Sequence, residues 1–293
     1  MRYLLENDIL SVEIDSFGAE VKSVKSKKDN KEYMWNADKK YWGRTSPVLF
    51  PFVGSCRNKE YSYQGITYKM MQHGFARDLE HTLLSKTGDS IWFCLKATPA
   101  TKQIYPFDFV LKIGYELKDN ALKVMWKVEN PSSDKNLYFS IGAHPAFCCN
   151  FSEDEYRIGF SKNGSALGSI AYHGINEENG LSITEDLSLK LKDGAVSVSK
   201  DFFDRCALIF EGCQADEVSL ISKDGNAFVS VSFDMPLFAL WSPEGKSAPF
   251  ICIEPWCGRC DHEDFRGTLE EREYSNSLSA GGYFESGYTV RFN

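Results

Sequence analysis

Apolar and polar residues alternate with a period of two along much of this chain, and no long stretch repeats at 3.6 residues. Strand side chains point to opposite faces in turn, whereas a half-buried helix needs apolar residues at i, i+3 and i+4. The pattern therefore restricts the chain to β-structure. Residues 10–14 (LSVEI) alternate cleanly. Residues 109–117 (FVLKIGYEL) and 121–128 (ALKVMWKV) flank Lys118-Asp119-Asn120 and read as a hairpin with a polar turn. A second hairpin is expected at 218–221 and 228–233, around Lys223-Asp224-Gly225-Asn226. Further strands are expected at 91–97, 138–141, 207–210, 250–253 and 288–292. The best helix candidate is short, at 268–274, with Glu-Glu-Arg-Glu giving it a solvated face. Residues 163–194 read as irregular surface loops. Many short strands joined by turn residues indicate a sandwich or barrel, and without a Pro/Gly/Ser linker or short repeat the expectation is one all-β domain over residues 1–293.

Bulk properties narrow the function classes. A net charge of −8 argues against a nucleic-acid binder, which needs a basic surface to displace counterions. A local pocket of a few Arg and Lys side chains remains compatible with it. No run is long and apolar enough to span a membrane, and the N-terminus lacks a signal-peptide pattern. Nine cysteines, an odd number, then read as reduced, mostly buried thiols of a cytoplasmic protein. Aromatic residues make up 14% of the chain, a share that suits both pleated sheets and stacking on a sugar ring. For any single ring, core packing is the default. Oligomeric state is not legible.

Three segments combine ionisable groups with tight-turn or ring residues: Gln72-His73-Gly74-Phe75-Ala76-Arg77-Asp78, Gly142-Ala143-His144-Pro145-Ala146-Phe147, and Cys252-Ile253-Glu254-Pro255-Trp256-Cys257-Gly258. His73 and His144 sit among small residues that suit presentation from strand ends, and imidazole titrates nearest neutral pH. A structural role is the alternative for either taken alone. His81 and His173 read as surface or turn residues, and His262 as solvated. Glu254 follows an apolar strand and is fixed by Pro255 and Trp256. Desolvation there should raise its pKa and make it a better base near neutrality; a strand-end ion pair is the alternative.

Cys257-Gly-Arg-Cys260 matches the C-x-x-C of thiol–disulfide proteins, but no βαβ pattern surrounds it. Cys257, Cys260 and His262, with Cys252 or a distant fourth ligand, are an alternative zinc set. Cys148-Cys149 beside His144 offers a nucleophile reading, against which stands ordinary packing.

Taken together, four segments resemble the aldose 1-epimerase (galactose mutarotase-like) superfamily. They are residues 46–54 (SPVLFPFVG), 72–78 (QHGFARD), 142–147 (GAHPAF), and Trp241 through 249–258 (PFICIEPWCG) to Asp261. The similarity is to the branch that includes the lactose-operon protein LacX, related to hexose-6-phosphate mutarotases. It implies an all-β galactose mutarotase-like β-supersandwich with few short helices. It implies interconversion of sugar anomers with no cofactor and no metal. By position in the motifs, His73 is implied to bind the sugar, His144 to protonate the ring oxygen, and Glu254 to take the proton from the C1 hydroxyl. Arg77 is implied to hold a hydroxyl or phosphate, and Trp241 and Trp256 to line the pocket. Such chemistry is expected to set acid and base on opposite sides of the ring.

One departure stands out. Relatives often carry an Asp just before an Ala-Leu-Ile-Phe-like strand, where this chain has Cys206; Asp204 is the nearby candidate substitute. Arg44, Arg57 and Arg77 are candidate phosphate ligands, with surface ion pairing the alternative for Arg57 and for Arg44. Free hexose and hexose phosphate both stay open, as does a silent carbohydrate-binding protein of the same fold.

Overall fold

A computed structural model describes residues 1–176, 178–185, 187–204 and 207–293. Among them lie twenty-five strands and one α-helix, Pro99–Ile104. All the sheet ladders are antiparallel. The fold is all-β, as the alternation predicts.

The larger sheet has ten strands. Its centre runs Ala227–Phe233, Tyr283–Phe292, Ala121–Glu129, Val110–Lys118 and Ser90–Lys96. The expected hairpin is there, with Lys118 paired to Ala121, so the turn narrows to Asp119-Asn120. Asp119 takes a φ of 53°, a conformation that Asp tolerates better than most residues. Leu122, Val124, Trp126 and Val128 face the core, while Lys123 is exposed and Met125 and Lys127 are half-buried. One apolar cluster reaches from Leu5 to Phe292 and takes in this inner face.

The smaller sheet, of six strands, carries the site. Its order is Leu208–Glu211, Leu237–Trp241, Phe250–Cys257, Ile141–Ala143 and Val48–Leu49, with Ala146–Cys148 also paired to Phe250–Cys257. All eight residues of Phe250–Cys257 are buried. Two expectations need correction here. Glu254 lies inside this strand rather than after it, opposite Ala239. Residues 138–141 do not form one strand: Leu137–Phe139 and Ile141–Ala143 belong to different sheets.

Two further differences have local causes. The expected helix at 268–274 shrinks to a 3-10 turn, Leu269–Glu271. Glu271 bonds back to the Thr268 backbone at 2.7 Å, so the cap is present, but a single buried Leu269 is too little apolar face to extend it. The α-helix that does form begins at Pro99, whose missing N–H is harmless in the first turn, and Thr98 and Thr101 cap each other reciprocally. Residues 163–194 are not all loop, since Ser169–Tyr172 and Leu187–Lys190 pair with each other. No described helix is long and apolar enough to cross a membrane.

Candidate active site

The site begins with a break in a ladder. Ile141 and Gly142 pair with Cys257 and Trp256, and Ala146 to Cys148 pair with Cys252 to Phe250. Both segments thus run along one strand, and His144-Pro145 is lifted out between them, opposite residues 253–255. A proline cannot donate to a ladder. Pro145 and Pro255 both fall in this gap, where the one backbone bond between the segments runs from the Ile253 N–H to the Pro145 carbonyl at 3.3 Å. The result sets His144 against Glu254, with Nε2 3.4 Å from Oε2. His144 is 6% exposed and Glu254 1%.

His73 reaches the same place from a turn. Its φ is +66° and that of Gly74 is +68°. A Cβ at residue 74 would stand 2.3 Å from the Phe50 carbonyl oxygen, so only glycine fits. Gly54 clasps the histidine: its carbonyl accepts from the His73 N–H at 2.9 Å, and its own N–H donates to Nδ1 at 3.1 Å. Gly54 has a φ of +70°, and a Cβ there would come within 2.5 Å of the Cys260 Cβ. Because Nδ1 accepts, the neutral ring carries its proton on Nε2, the nitrogen left to donate.

Tryptophans hold the second imidazole. Trp42 stacks on His144 at 4.6 Å between centroids and 26° between planes, and Trp241 meets it edge-on at 5.3 Å. Trp35 donates its indole N–H to the Trp42 carbonyl at 2.9 Å. Nearby, the buried Glu20 carboxylate accepts from the Thr45 and Ser46 N–H groups at 2.8 Å each, which fixes the segment carrying Trp42 and Arg44. Trp256 donates to the Ala143 carbonyl at 3.1 Å.

These groups open onto one cleft of about 470 Å³. His73, His144, Glu254, Arg44, Arg77, Trp241 and Trp256 all line it, as the sequence led us to expect. Trp42, Lys59, Gln72, Asn176 and Asn179 line it too and were not anticipated. Trp42 sits in no motif, and the Asn residues lie in the stretch read as featureless loop. Arg77 donates to the Gln72 carbonyl at 2.7 Å, and Arg44 to Asp78 at 2.8 Å.

Other candidates fall elsewhere. Asp204 is exposed and lines a separate cleft with Asp201 and Tyr172, so it does not stand in for an acidic residue beside His144. Cys206 lies outside the described residues. Arg57 turns away, donating to the Glu263 carbonyl at 3.1 Å, and lines a different cleft. His81 is not a surface residue but 2% exposed, and burial pushes its pKa down to about 4. His262 is half-buried, its Nε2 2.6 Å from the Thr184 hydroxyl. Cys257 and Cys260 remain thiols, and burial pushes each up to about 11. Neither joins a metal-ligating group among the described residues. Burial also pushes the Cys148 thiol up to about 11, the opposite of what a nucleophile needs.

Electrostatics follow from the burial. Desolvation raises Glu254 well above the usual carboxylate range. It lowers His144 to about 3, with Arg77 adding to the effect, and lowers His73 well below its ordinary value. Arg77 is itself pushed down to about 10 by burial and by Arg44. Burial thus drives each member of the pair toward its neutral form. A carboxyl and an imidazole side by side can give a proton at one atom and take one at a neighbouring atom.

The chain belongs to the aldose 1-epimerase family. The family model described as Aldose 1-epimerase matches residues 1–262. The chromosomal LacX protein of Lactococcus lactis subsp. lactis is 31% identical over 275 residues, which is 92% of this chain and 91% of that protein. Among solved structures, a galactose mutarotase related enzyme from Lactobacillus acidophilus is 33% identical with a TM-score of 0.91, covering 100% of this chain and 97% of the other. A galactose mutarotase-like protein from Lactobacillus casei is 28% identical with a TM-score of 0.90, and both chains are covered fully.

Proposed function

We propose that this chain is an aldose 1-epimerase that interconverts the α and β anomers of a hexose or hexose phosphate by opening and reclosing the ring. The observation that carries the reading is the buried His144–Glu254 pair, 3.4 Å apart at the wall of the cleft. The ring oxygen and the C1 hydroxyl are bonded to the same carbon. An acid for one and a base for the other can therefore stand side by side, as His144 and Glu254 do, and need not lie on opposite sides of the ring.

With the cyclic sugar bound, the pair works in its ionised form, His144 carrying the proton and Glu254 the charge. Glu254 takes the proton from the C1 hydroxyl as His144 gives its proton to the ring oxygen. The C1–O5 bond breaks, the C1–O1 bond becomes the carbonyl, and the pair is left neutral, the form that burial favours. Rotation about C1–C2 presents the other carbonyl face, and the two protons return. Nothing is oxidised, no covalent intermediate forms, and the proton count is unchanged. The steps therefore call for no cofactor. His73, holding a proton on Nε2, donates to a sugar oxygen and keeps the ring in register. Trp241 and Trp256 supply apolar surface for the C–H faces of the sugar.

Arg44, Arg77 and Lys59 line the cleft, with Asp78 paired to Arg44 and 3.7 Å from Arg77. The three cations can donate to a sugar hydroxyl or to a phosphate. We read the 293 residues as one working domain of a cytoplasmic enzyme, with a small sugar as its partner and no part in nucleic-acid or membrane binding.

The test is the approach of pure α-glucose, α-galactose and α-glucose 6-phosphate to anomeric equilibrium, followed by polarimetry or NMR. Acceleration by wild type that disappears in Glu254→Gln is expected. Sugar binding without acceleration on any of the three would instead favour a silent carbohydrate-binding protein.

A further inference from the structure

The acid–base pair has a third buried neighbour that the anomer chemistry does not use. Cys252 lies two residues before Glu254 on Phe250–Cys257, and residues two apart in a strand share a face. The Cys252 sulfur, a Glu254 carboxylate oxygen and a His144 ring nitrogen all lie within 4.8 Å of one another, and all three residues are buried. No other group of three such donors converges among the described residues. Glu254 Oε2 is buried and faces His144 Nε2 at 3.4 Å without making a hydrogen bond, so a strong acceptor in this group keeps capacity to spare.

Thiolate, imidazole and carboxylate together are a zinc donor set. With bonds of about 2.0–2.3 Å, a tetrahedral ion holds its donors roughly 3.3–3.8 Å apart, so side-chain rotation of about 1 Å closes the group. One thiolate and one carboxylate cancel a double positive charge, and the filled site is neutral, as its dry surroundings require. His144 and Glu254 line the cleft, and a fourth position on that side is open to water or to a sugar hydroxyl. Oxygen-preferring cations such as Mg²⁺ are poorly served by a set containing sulfur and nitrogen.

We propose that His144, Cys252 and Glu254 form a site for a zinc-class divalent cation, which on binding takes the acid and the base out of service. The inhibition rests on the anomer reading above; the cation site rests on the three donors alone. This set replaces the Cys257, Cys260 and His262 grouping considered from sequence.

The probe is Co²⁺ added to the full chain as wild type, Cys252→Ser, Glu254→Gln and Cys213→Ser, the last removing an exposed thiol. One equivalent should give a thiolate-to-cobalt charge-transfer band that Zn²⁺ abolishes by displacement. The band should persist in Cys213→Ser, vanish in Cys252→Ser, and need more than about tenfold more cobalt in Glu254→Gln, the least expected from losing a direct ligand. Zinc should slow anomer exchange by wild type, and Cys252→Ser should need at least about tenfold more zinc for the same loss. A wild type without the band, or a Cys252→Ser variant that keeps it, overturns the proposal. A band of the expected behaviour in a chain with no turnover supports the cation site and removes the anomer reading.

Discussion

Two strands of similar length show how differently this molecule uses its sheets. In Ala121–Glu129 every second residue is buried, and the residues between are half-buried or exposed, with Lys127 and Glu129 pairing to Glu285 and Lys112. In Phe250–Cys257 every residue is buried, and the polar one, Glu254, has His144 in place of solvent. The first strand obeys the ordinary economy of a sheet with one wet face. The second holds a carboxylate in a dry interior, where charge is costly. That strand also changes partner along one edge, and the change makes room for His144. The lesson is that stability and chemistry are assigned to separate sheets, and the acid–base pair sits where the ladder is interrupted.

The comparison breaks most sharply if acid–base variants behave like core variants. His144→Gln and Glu254→Gln should each lower turnover by about 10²–10⁴-fold while the thermal melt shows a folded protein. Turnover within tenfold of wild type would remove the residue from the chemistry. Leu111→Ala, in the inner face of the larger sheet, should do the reverse. It should cost about 2–5 kcal/mol in denaturant unfolding and leave turnover per folded molecule unchanged.

The pH dependence of stability sharpens the contrast. Glu254 is raised in the folded protein, so above the ordinary value of 4.5 the unfolded chain binds fewer protons than the folded one and stability falls as pH rises. Glu254→Gln should therefore melt a few degrees higher than wild type at pH 8, with the gain shrinking toward pH 4. His144 is lowered from 6.5 to about 3, so its contribution is lost as pH falls through that window. A His144→Gln variant should lose less stability than wild type between pH 7 and pH 4. Identical pH profiles for both variants and wild type would mean the pair is not desolvated. The smallest effect is expected at Trp42→Ala. Loss of its stacking on His144 should cost about 0.5–1.5 kcal/mol of transition-state stabilisation, read as a several-fold drop in kcat/KM.

Much of the scaffold could be read from the chain because its signals are local. The hairpin at 110–129 follows from alternation and two turn residues, and both act between near neighbours. His73, His144 and Glu254 were legible because each sits in a motif whose small or ring-bearing residues shape its backbone. Trp42 was not, since nothing beside it in sequence announces that it stacks on a residue about a hundred positions away. Asp204 and Arg57 enter other clefts for the same reason: nearness in sequence to a site position does not set which cleft a side chain enters. The sequence sets Glu254 at a strand end because the apolar run 250–253 stops before it and Pro255 follows. In the folded chain that proline falls where the neighbouring strand has already lifted away, so its missing N–H costs nothing.

Period-two patterning and turn residues were enough to make this an all-β chain, because backbone geometry alone dictates which face each side chain takes. Four ordered motifs were enough to place it in its family. The proximity of His144 to Glu254 and Cys252, the donor tautomer of His73 and the depressed pKa of Arg77 come from segments far apart in the chain. Those properties depend on distance and on the exclusion of water, and both arise only when the sheets close over the site.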